Sequence, residues 1–138
     1  LIATANELGV KVIAFSPLGA GFLTGKYKDT TQFKNDIRGD AGRFAQENLE
    51  NNMKLLQALE QMAEKKGCTP AQLALAWVNT QGAIPIPGTR SVGRLEENFG
   101  ATNVVISEEE LKEIRVILNQ NPVNGGRWGE DVTRFMGK

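Results

Sequence analysis

Two arginines stand where a helix should begin. Residues 83–101 read Ala-Ile-Pro-Ile-Pro-Gly-Thr-Arg-Ser-Val-Gly-Arg-Leu-Glu-Glu-Asn-Phe-Gly-Ala. A short apolar strand over 84–86 runs into a turn at Pro87-Gly88, and Ser91 is a good N-cap for the helix that follows. Two other helix starts are of the ordinary kind. Thr69-Pro70-Ala71-Gln72 has Thr at the cap, Pro at the first helical position and Gln at the third, while Ser107 precedes Glu108, Glu109 and Glu110. Both suit the positive end of the helix dipole. At Ser91 the charges are reversed: Arg90 precedes the cap and Arg94 takes the third helical position, where a capping box wants Glu. Each mismatch costs a few tenths to ~1 kcal/mol. An anion seated between Arg90, Arg94 and the free N–H groups is the simplest compensation, and a phosphate fits that description.

Helical spacing places Val92, Leu95 and Phe99 on an inward face and gathers Arg94, Glu97 and Asn98 on a polar one. That polar edge offers an anion binder, an acceptor carboxylate and an amide, a set suited to a phosphorylated nucleotide with its adenine amino group. The alternative is a solvated face with an Arg94 to Asn98 contact. A second stretch, Leu18-Gly-Ala-Gly-Phe-Leu-Thr-Gly-Lys26, follows a strand and ends in a cation. It is not a Rossmann fingerprint, because Gly19, Gly21 and Gly25 leave one residue too many in the second gap. It is not a P-loop either, since Ala20 and Tyr27 stand where Gly and Ser or Thr are required. What remains is a Gly-rich loop whose backbone can approach a ligand closely, or an ordinary surface loop.

The absence of histidine constrains the chemistry further. With no His and only Cys68 among the 138 residues, the chain cannot by itself build a Ser-His-Asp triad, a Cys-His pair, a histidine metal site or a cysteine cluster. Cys68 lies in a helix-to-helix turn and is read as structural. Sixteen basic side chains balance 16 acidic ones, giving no reason to expect nucleic acid or an anionic membrane as partner. No apolar run approaches membrane-spanning length and no signal-like segment opens the chain, so a reducing, cytoplasmic setting is expected.

The elements that must position these residues follow from periodicity. Residues 1–8 read as the end of an amphipathic helix stopped at Gly9, with Leu1, Ala5 and Leu8 on one side. Residues 11–15 form a strand apolar on both faces, the pattern of a parallel strand buried on two sides. Residues 27–44 carry little periodicity and read as a lid or binding loop, with Arg38 either folding back onto an anion or solvated. A long helix over 47–66 buries Leu49, Met53, Leu56, Leu59 and Met62 or Ala63, and Gly67 ends it. A helix over 70–80 turns Leu73, Ala74 and Trp77 inward, and one over 107–119 buries Leu111, Ile114, Ile117 and Leu118. Pro85 and Pro87 remove two N–H groups from the same side of the second strand. The tail over 122–138 is polar around Gly125-Gly126-Arg127-Trp128, where an isolated Trp suggests cover for a neighbouring surface.

Two parallel strands leave open edges and bury too little, so the chain is expected to be the carboxyl-terminal portion of a larger α/β protein. In a (β/α)8 barrel, successive units would bring both loops to the same carboxyl face.

Phe15-Ser16-Pro17-Leu18-Gly19 through Leu23-Thr24-Gly25-Lys26, and Ile84-Pro85-Ile86-Pro87-Gly88-Thr89-Arg90 through Arg94-Leu95-Glu96-Glu97-Asn98, resemble the last two strands and loops of the aldo-keto reductases. The nearest branch is that of the plant and microbial reductases related to potassium-channel β-subunits. The resemblance implies an α/β fold, the carboxyl-terminal part of a (β/α)8 TIM barrel. Residues 1–138 would supply its last two strands, their helices and two extra helices, as part of one NADP-dependent oxidoreductase domain. It implies NADP(H) as cofactor and a small aldehyde or ketone as substrate, reduced to an alcohol. The remainder of the barrel, upstream of Leu1, would be the chain's partner.

Carried over by residue, Ser16, Pro17, Leu18, Gly19 and Gly21 would line the pyrophosphate and nicotinamide side, with Lys26 and Arg38 closing over the phosphates. Gly88, Thr89, Arg90 and Arg94 would hold the adenosine phosphate, and Glu97 with Asn98 would meet the adenine. The Asp, Tyr, Lys and His of the family's proton chemistry have no counterpart here, so no catalytic residue is assigned. The same fold also serves as a nucleotide-sensing regulatory subunit, which is the alternative reading.

Overall fold

The computed structural model describes residues 1–27, 33, 36 and 38–129. Parts of the expected lid, and the tail beyond 129, lie outside the described residues.

A short helix α1 (Ile2–Glu7) leads through Gly9, at φ +66, into strand β1 (Val12–Phe15). Two helices separate β1 from the second strand: α2 (Gln46–Lys66) and α3 (Pro70–Thr80). Strand β2 (Ala83–Ile86) then pairs parallel to β1, with Val12 opposite Ala83 and Phe15 opposite Ile86. Helices α4 (Val92–Gly100) and α5 (Glu108–Gln120) follow. The parallel pairing places the residues after both strands at one end of the sheet. Pro85 keeps its place in the ladder opposite Ala14.

The predicted caps form as the sequence dictates. Thr69 accepts the Gln72 N–H while the Gln72 side chain accepts the Thr69 N–H, and Ser107 and Glu110 make the same reciprocal pair. Gly67 ends α2 in the left-handed conformation, and Cys68 stands between α2 and α3 as expected. Lys66 then ties α2 to α5 through a 2.7 Å ion pair with Glu110. Hydrogen bonds from Lys66 and from the Ser107 backbone hold the Glu110 carboxyl below its usual pKa. A carboxylate lowered in the folded state contributes stability above its unfolded pKa of ~4.3 and loses it as pH falls through the lowered value. Urea titrations should therefore find Glu110→Gln less stable than the parent by about 0.5–1 kcal/mol at neutral pH, with the gap closing in acid.

Burial departs from expectation in four places. Val12, Ala14 and Ala83 turn towards the helices, but Ile13 (52% exposed), Phe15 (49%), Ile84 (49%) and Ile86 (52%) form one open apolar stripe. The strands are apolar on both faces, as read, yet only one face is covered, because the helices pack on one side of the pair. Val92, Leu95 and Phe99 of α4 do not point into a core either; they stand 58–73% exposed on a helix with no buried residue. On α5 only Ile114 is buried, with Leu111 and Ile117 half-buried and Leu118 exposed. Leu1 and Leu8 of the first segment are exposed as well.

The stretch expected to be an aperiodic lid contributes to the core instead. Phe33, Ala41 and Phe44 are buried with Phe22, Leu49 and Leu56 in one cluster, where the Phe33 and Phe44 rings lie 4.8 Å apart. Aromatic burial without periodicity supplies this packing. A second cluster joins Met62, Ala63, Leu73 and Ile114, with Trp77 half-buried against it.

Candidate functional site

The loop after β1 carries the unusual backbone of the molecule. Ser16 (φ +49) and Ala20 (φ +57) are the two non-glycine residues with positive φ among those described, and Gly21 between 3-10 turns reaches φ +90. Such conformations cost of order 1–3 kcal/mol and collect where a ligand dictates the backbone. Gly21 is also sterically required, since a Cβ there would meet the Tyr27 ring at 2.8 Å. Thr24 fastens the turn by donating to the Gly21 carbonyl at 2.7 Å.

Arg38 is not solvated. Its Nη2 pairs with Asp36 at 2.7 Å, its Nη1 reaches the Ala20 carbonyl at 3.2 Å, and its guanidinium lies over the Tyr27 and Phe33 rings at 4.6 and 4.7 Å. The Asp36 bond raises the guanidinium's pKa, and the reciprocal bond lowers that of Asp36. Arg38 thus braces the Gly-rich loop from behind.

Between this loop and α4 lies a cleft of about 310 Å³. It is lined by Ser16, Pro17, Leu18, Gly21 and Lys26 from the first block, and by Gly88, Arg94, Glu97 and Asn98 from the second. The two stretches singled out in the sequence, about 70 residues apart, therefore share one wall-to-wall space. Ala20, Thr24, Tyr27, Ala71 and Pro87 also line it and were not assigned to the site; Ala20, Tyr27 and Pro87 each adjoin a residue that was.

Four of the expected residues lie outside this lining. Gly19 faces a separate apolar cavity of about 220 Å³, and Arg38 occupies the place just described. Thr89 turns its hydroxyl onto Ser91, accepting the Ser91 N–H at 3.1 Å and donating to its carbonyl at 3.2 Å. Arg90 is exposed at the end of the turn that Gly88 begins. Arg94 and the Ser16 loop face the same cleft; Arg90 does not join them.

The electrostatics of the cleft favour an anion. Among the described residues neither Lys26 nor Arg94 has an ion-pair partner, and Ser91, unlike Thr69 and Ser107, makes no side-chain bond to cap its helix. The first N–H groups of α4 lack that satisfaction. Open space lies where a Cβ on Gly88 would stand, so backbone can meet a ligand there. Two uncompensated cations, a helix start and a glycine cradle suit a phosphorylated ligand, with Glu97 and Asn98 available for a polar ring.

The model for the aldo/keto reductase family matches residues 1–119. The chain belongs to that family. It is 40% identical over 130 residues to the aldo-keto reductase str7 of Strobilurus tenacellus, covering 92% of this chain and 39% of that protein. It is likewise 40% identical over 131 residues to the NADP(+) aldo-keto reductase yakc of Schizosaccharomyces pombe, covering 93% and 38%. Among solved structures it resembles the glycerol dehydrogenase of Gluconobacter oxydans, at 29% identity and a TM-score of 0.82, covering 90% of this chain and 38% of that one. A thermostable aldo-keto reductase solved with the inhibitor epalrestat matches at 26% identity and a TM-score of 0.59, covering 85% and 33%. The chain thus spans about two fifths of the length of the curated relatives it matches. Two parallel strands with their helices give it a partial, helix-rich α/β architecture that matches part of those solved structures.

One feature of this family member escaped the sequence reading. Asn52 is 1% exposed, the buried polar side chain among those described, and it clamps the tail. Its Nδ2 donates to the carbonyls of Arg43 (2.8 Å) and Asn124 (2.9 Å), and its Oδ1 accepts the Asn124 N–H at 2.8 Å. The Arg43 N–H then bonds the Gly126 carbonyl at 3.1 Å. Held this way, the tail lays Arg127 and Trp128 over the end of β1: the Arg127 guanidinium sits 4.4 Å from the Phe15 ring centre, and the Trp128 ring is within 9° of parallel to it. An Asn in register with Leu49 and Leu56 on the buried stripe of α2 was the available signal.

Proposed function

We propose that this chain is the cofactor-binding part of an NADPH-dependent reductase of aldehydes or ketones, forming the last two strands of a (β/α)8 barrel. The observation that carries the proposal is the single cleft joining the Ser16 to Lys26 loop with Gly88, Arg94, Glu97 and Asn98. In this reading Ser16, Pro17, Leu18 and Gly21 approach the pyrophosphate and nicotinamide side, with Lys26 over the phosphates. Gly19 and Arg38 shape and brace the same loop. Gly88 and Arg94 receive the adenosine phosphate, Thr89 and Arg90 extend that turn towards solvent, and Glu97 and Asn98 meet the adenine. The NADP(+) in the name of the fission-yeast relative supports the choice of cofactor.

Bound NADPH supplies the hydride that reaches the carbonyl carbon, and a proton completes the alcohol on oxygen. No side chain of residues 1–138 is given the role of proton donor. The open stripe of Ile13, Phe15, Ile84 and Ile86 supports the barrel assignment, because the inward side of such a barrel is filled by apolar side chains from all its strands. The remainder of the barrel is then the partner that covers this stripe, in a protein of the cytoplasm.

The test is an NADPH titration of the protein that carries this chain, followed by fluorescence, alongside NADPH oxidation with a panel of aldehydes and ketones. Saturable binding with carbonyl-dependent oxidation is the expected result. Binding without oxidation would favour a nucleotide-sensing subunit, and no binding would overturn the cofactor assignment.

A further inference from the structure

We propose that the carbonyl compound reduced by this protein carries an anionic group, a carboxylate being the simplest, and that Arg127 receives it. The inference rests on the reductase reading above and deepens it.

Position comes first. Phe15 is the last residue of β1, it belongs to the open stripe of the sheet, and Ser16 beside it lines the cofactor cleft. Arg127 stands on that strand end, with Nη2 at 3.4 Å from the Phe15 carbonyl and the guanidinium 4.4 and 5.3 Å from the Phe15 and Trp128 ring centres. A reacting carbonyl placed next to a cofactor in the cleft would have this cation as a neighbour.

Charge comes second. Among the described residues no carboxylate pairs with Arg127, and its long bond to the Phe15 carbonyl occupies one of a guanidinium's five N–H donors. A second guanidinium is short of partners in a different way: Arg43 Nε is buried without a hydrogen-bond partner. Burial and then the positive charge of Arg127 push the pKa of Arg43 down, the sign of two like charges in electrostatic reach of each other. Arg127 is exposed, yet its guanidinium is held over the Phe15 and Trp128 rings and has no carboxylate partner among the described residues, an arrangement open to an anion.

Rigidity comes third. Asn52 and the Gly126 bond fix the backbone on both sides of Arg43 and just ahead of Arg127, so the guanidinium is presented by an anchored tail. Asn52 is in this sense a positioning residue, and a preorganised fork gives directional recognition of a carboxylate.

The experiment compares 4-carboxybenzaldehyde with benzaldehyde as substrates of the protein that carries this chain, with NADPH. The parent protein is expected to favour the carboxylate, and Arg127→Gln to lower the ratio of the two kcat/KM values at least tenfold, mainly through KM. Arg127→Lys should fall between, keeping charge without the fork. A ratio unmoved by Arg127→Gln overturns the inference and leaves an Arg that only straps the tail. If the parent reduces benzaldehyde with no preference for the carboxylate, this inference fails while the reductase reading stands. If NADPH reduces no carbonyl at all, the reductase reading fails and this inference with it. Should Arg127→Gln not fold, the parent protein still decides: benzoate must compete with benzaldehyde more strongly than benzyl alcohol does, and an equal or weaker effect overturns the proposal.

Discussion

Arg94→Ala, made in the protein that carries this chain, is expected to weaken NADPH binding by about 1.5–3 kcal/mol, the range for a lost charge-assisted bond, or about ten- to a hundredfold in Kd. Arg94 sits in the first turn of α4, where the dipole is already positive, lines the cleft opposite the Ser16 loop, and has no ion-pair partner among the described residues. Such a cation gains most when a phosphate occupies the space between it and the N–H groups. Because the assigned contact is the phosphate on the adenosine, NADH should lose far less. Arg90→Ala is the companion measurement: that side chain, exposed like Arg94, lies outside the cleft lining, so its effect should stay below ~1 kcal/mol. Equal losses for NADPH and NADH on Arg94→Ala would detach it from the adenosine phosphate. A larger effect at Arg90 than at Arg94 would reverse the roles given to them.

Where local chemistry decides, the sequence was readable. Thr69 with Gln72 and Ser107 with Glu110 announce helix starts because a cap needs only its own four residues, and both capping boxes form. Gly67 marks the end of α2 for the same reason. Strands of Val, Ile and Ala flanked by turn residues paired parallel as their composition implied. The unusual charges around Ser91 pointed to Arg94, which does line the cleft, but they could not separate it from Arg90. Both arginines break the same local rule, and only the direction in which the turn after β2 leaves the sheet distinguishes them.

What escaped the reading depends on distant partners. Phe33 and Phe44 fall in a stretch without periodicity, and their burial against Phe22 and Leu56 is a matter of tertiary contact alone. The spacing of apolar residues on α4 predicts an inward face, but amphipathicity says which face is apolar and not whether anything covers it. Val92 and Phe99 at 72% and 73% exposure show the difference. For Arg38 the sequence leaves an anion contact and a solvated side chain both open, because its ring partners and the Ala20 carbonyl cannot be inferred from its neighbours in sequence.

Asn52→Leu should cost about 3–5 kcal/mol of stability, a large fraction of what an ordinary domain has. Leucine preserves the bulk of the side chain, so the loss is one of polar satisfaction and not of volume. The partly buried carbonyls of Arg43 and Asn124 and the N–H of Asn124 all depend on Asn52, and a polar group left unpaired away from water costs about 1–3 kcal/mol, partly recovered as water enters. The midpoint of urea unfolding should therefore drop, and limited proteolysis should cut the released tail near residues 125–129. Gly125→Ala gives an independent route to the same release. Gly125 holds φ +83, and a Cβ there would run into the Gly42 carbonyl and the Arg43 nitrogen, backbone atoms that have no rotamer to escape into. If the tail is what Asn52 secures, both variants should become protease-sensitive at the same place and lose any carboxylate preference together, while NADPH affinity, which the proposal assigns to Lys26 and Arg94 across the cleft, changes much less. An Asn52→Leu protein within ~1 kcal/mol of the parent would mean that solvent replaces all three bonds, and that the tail lies on β1 without being held there.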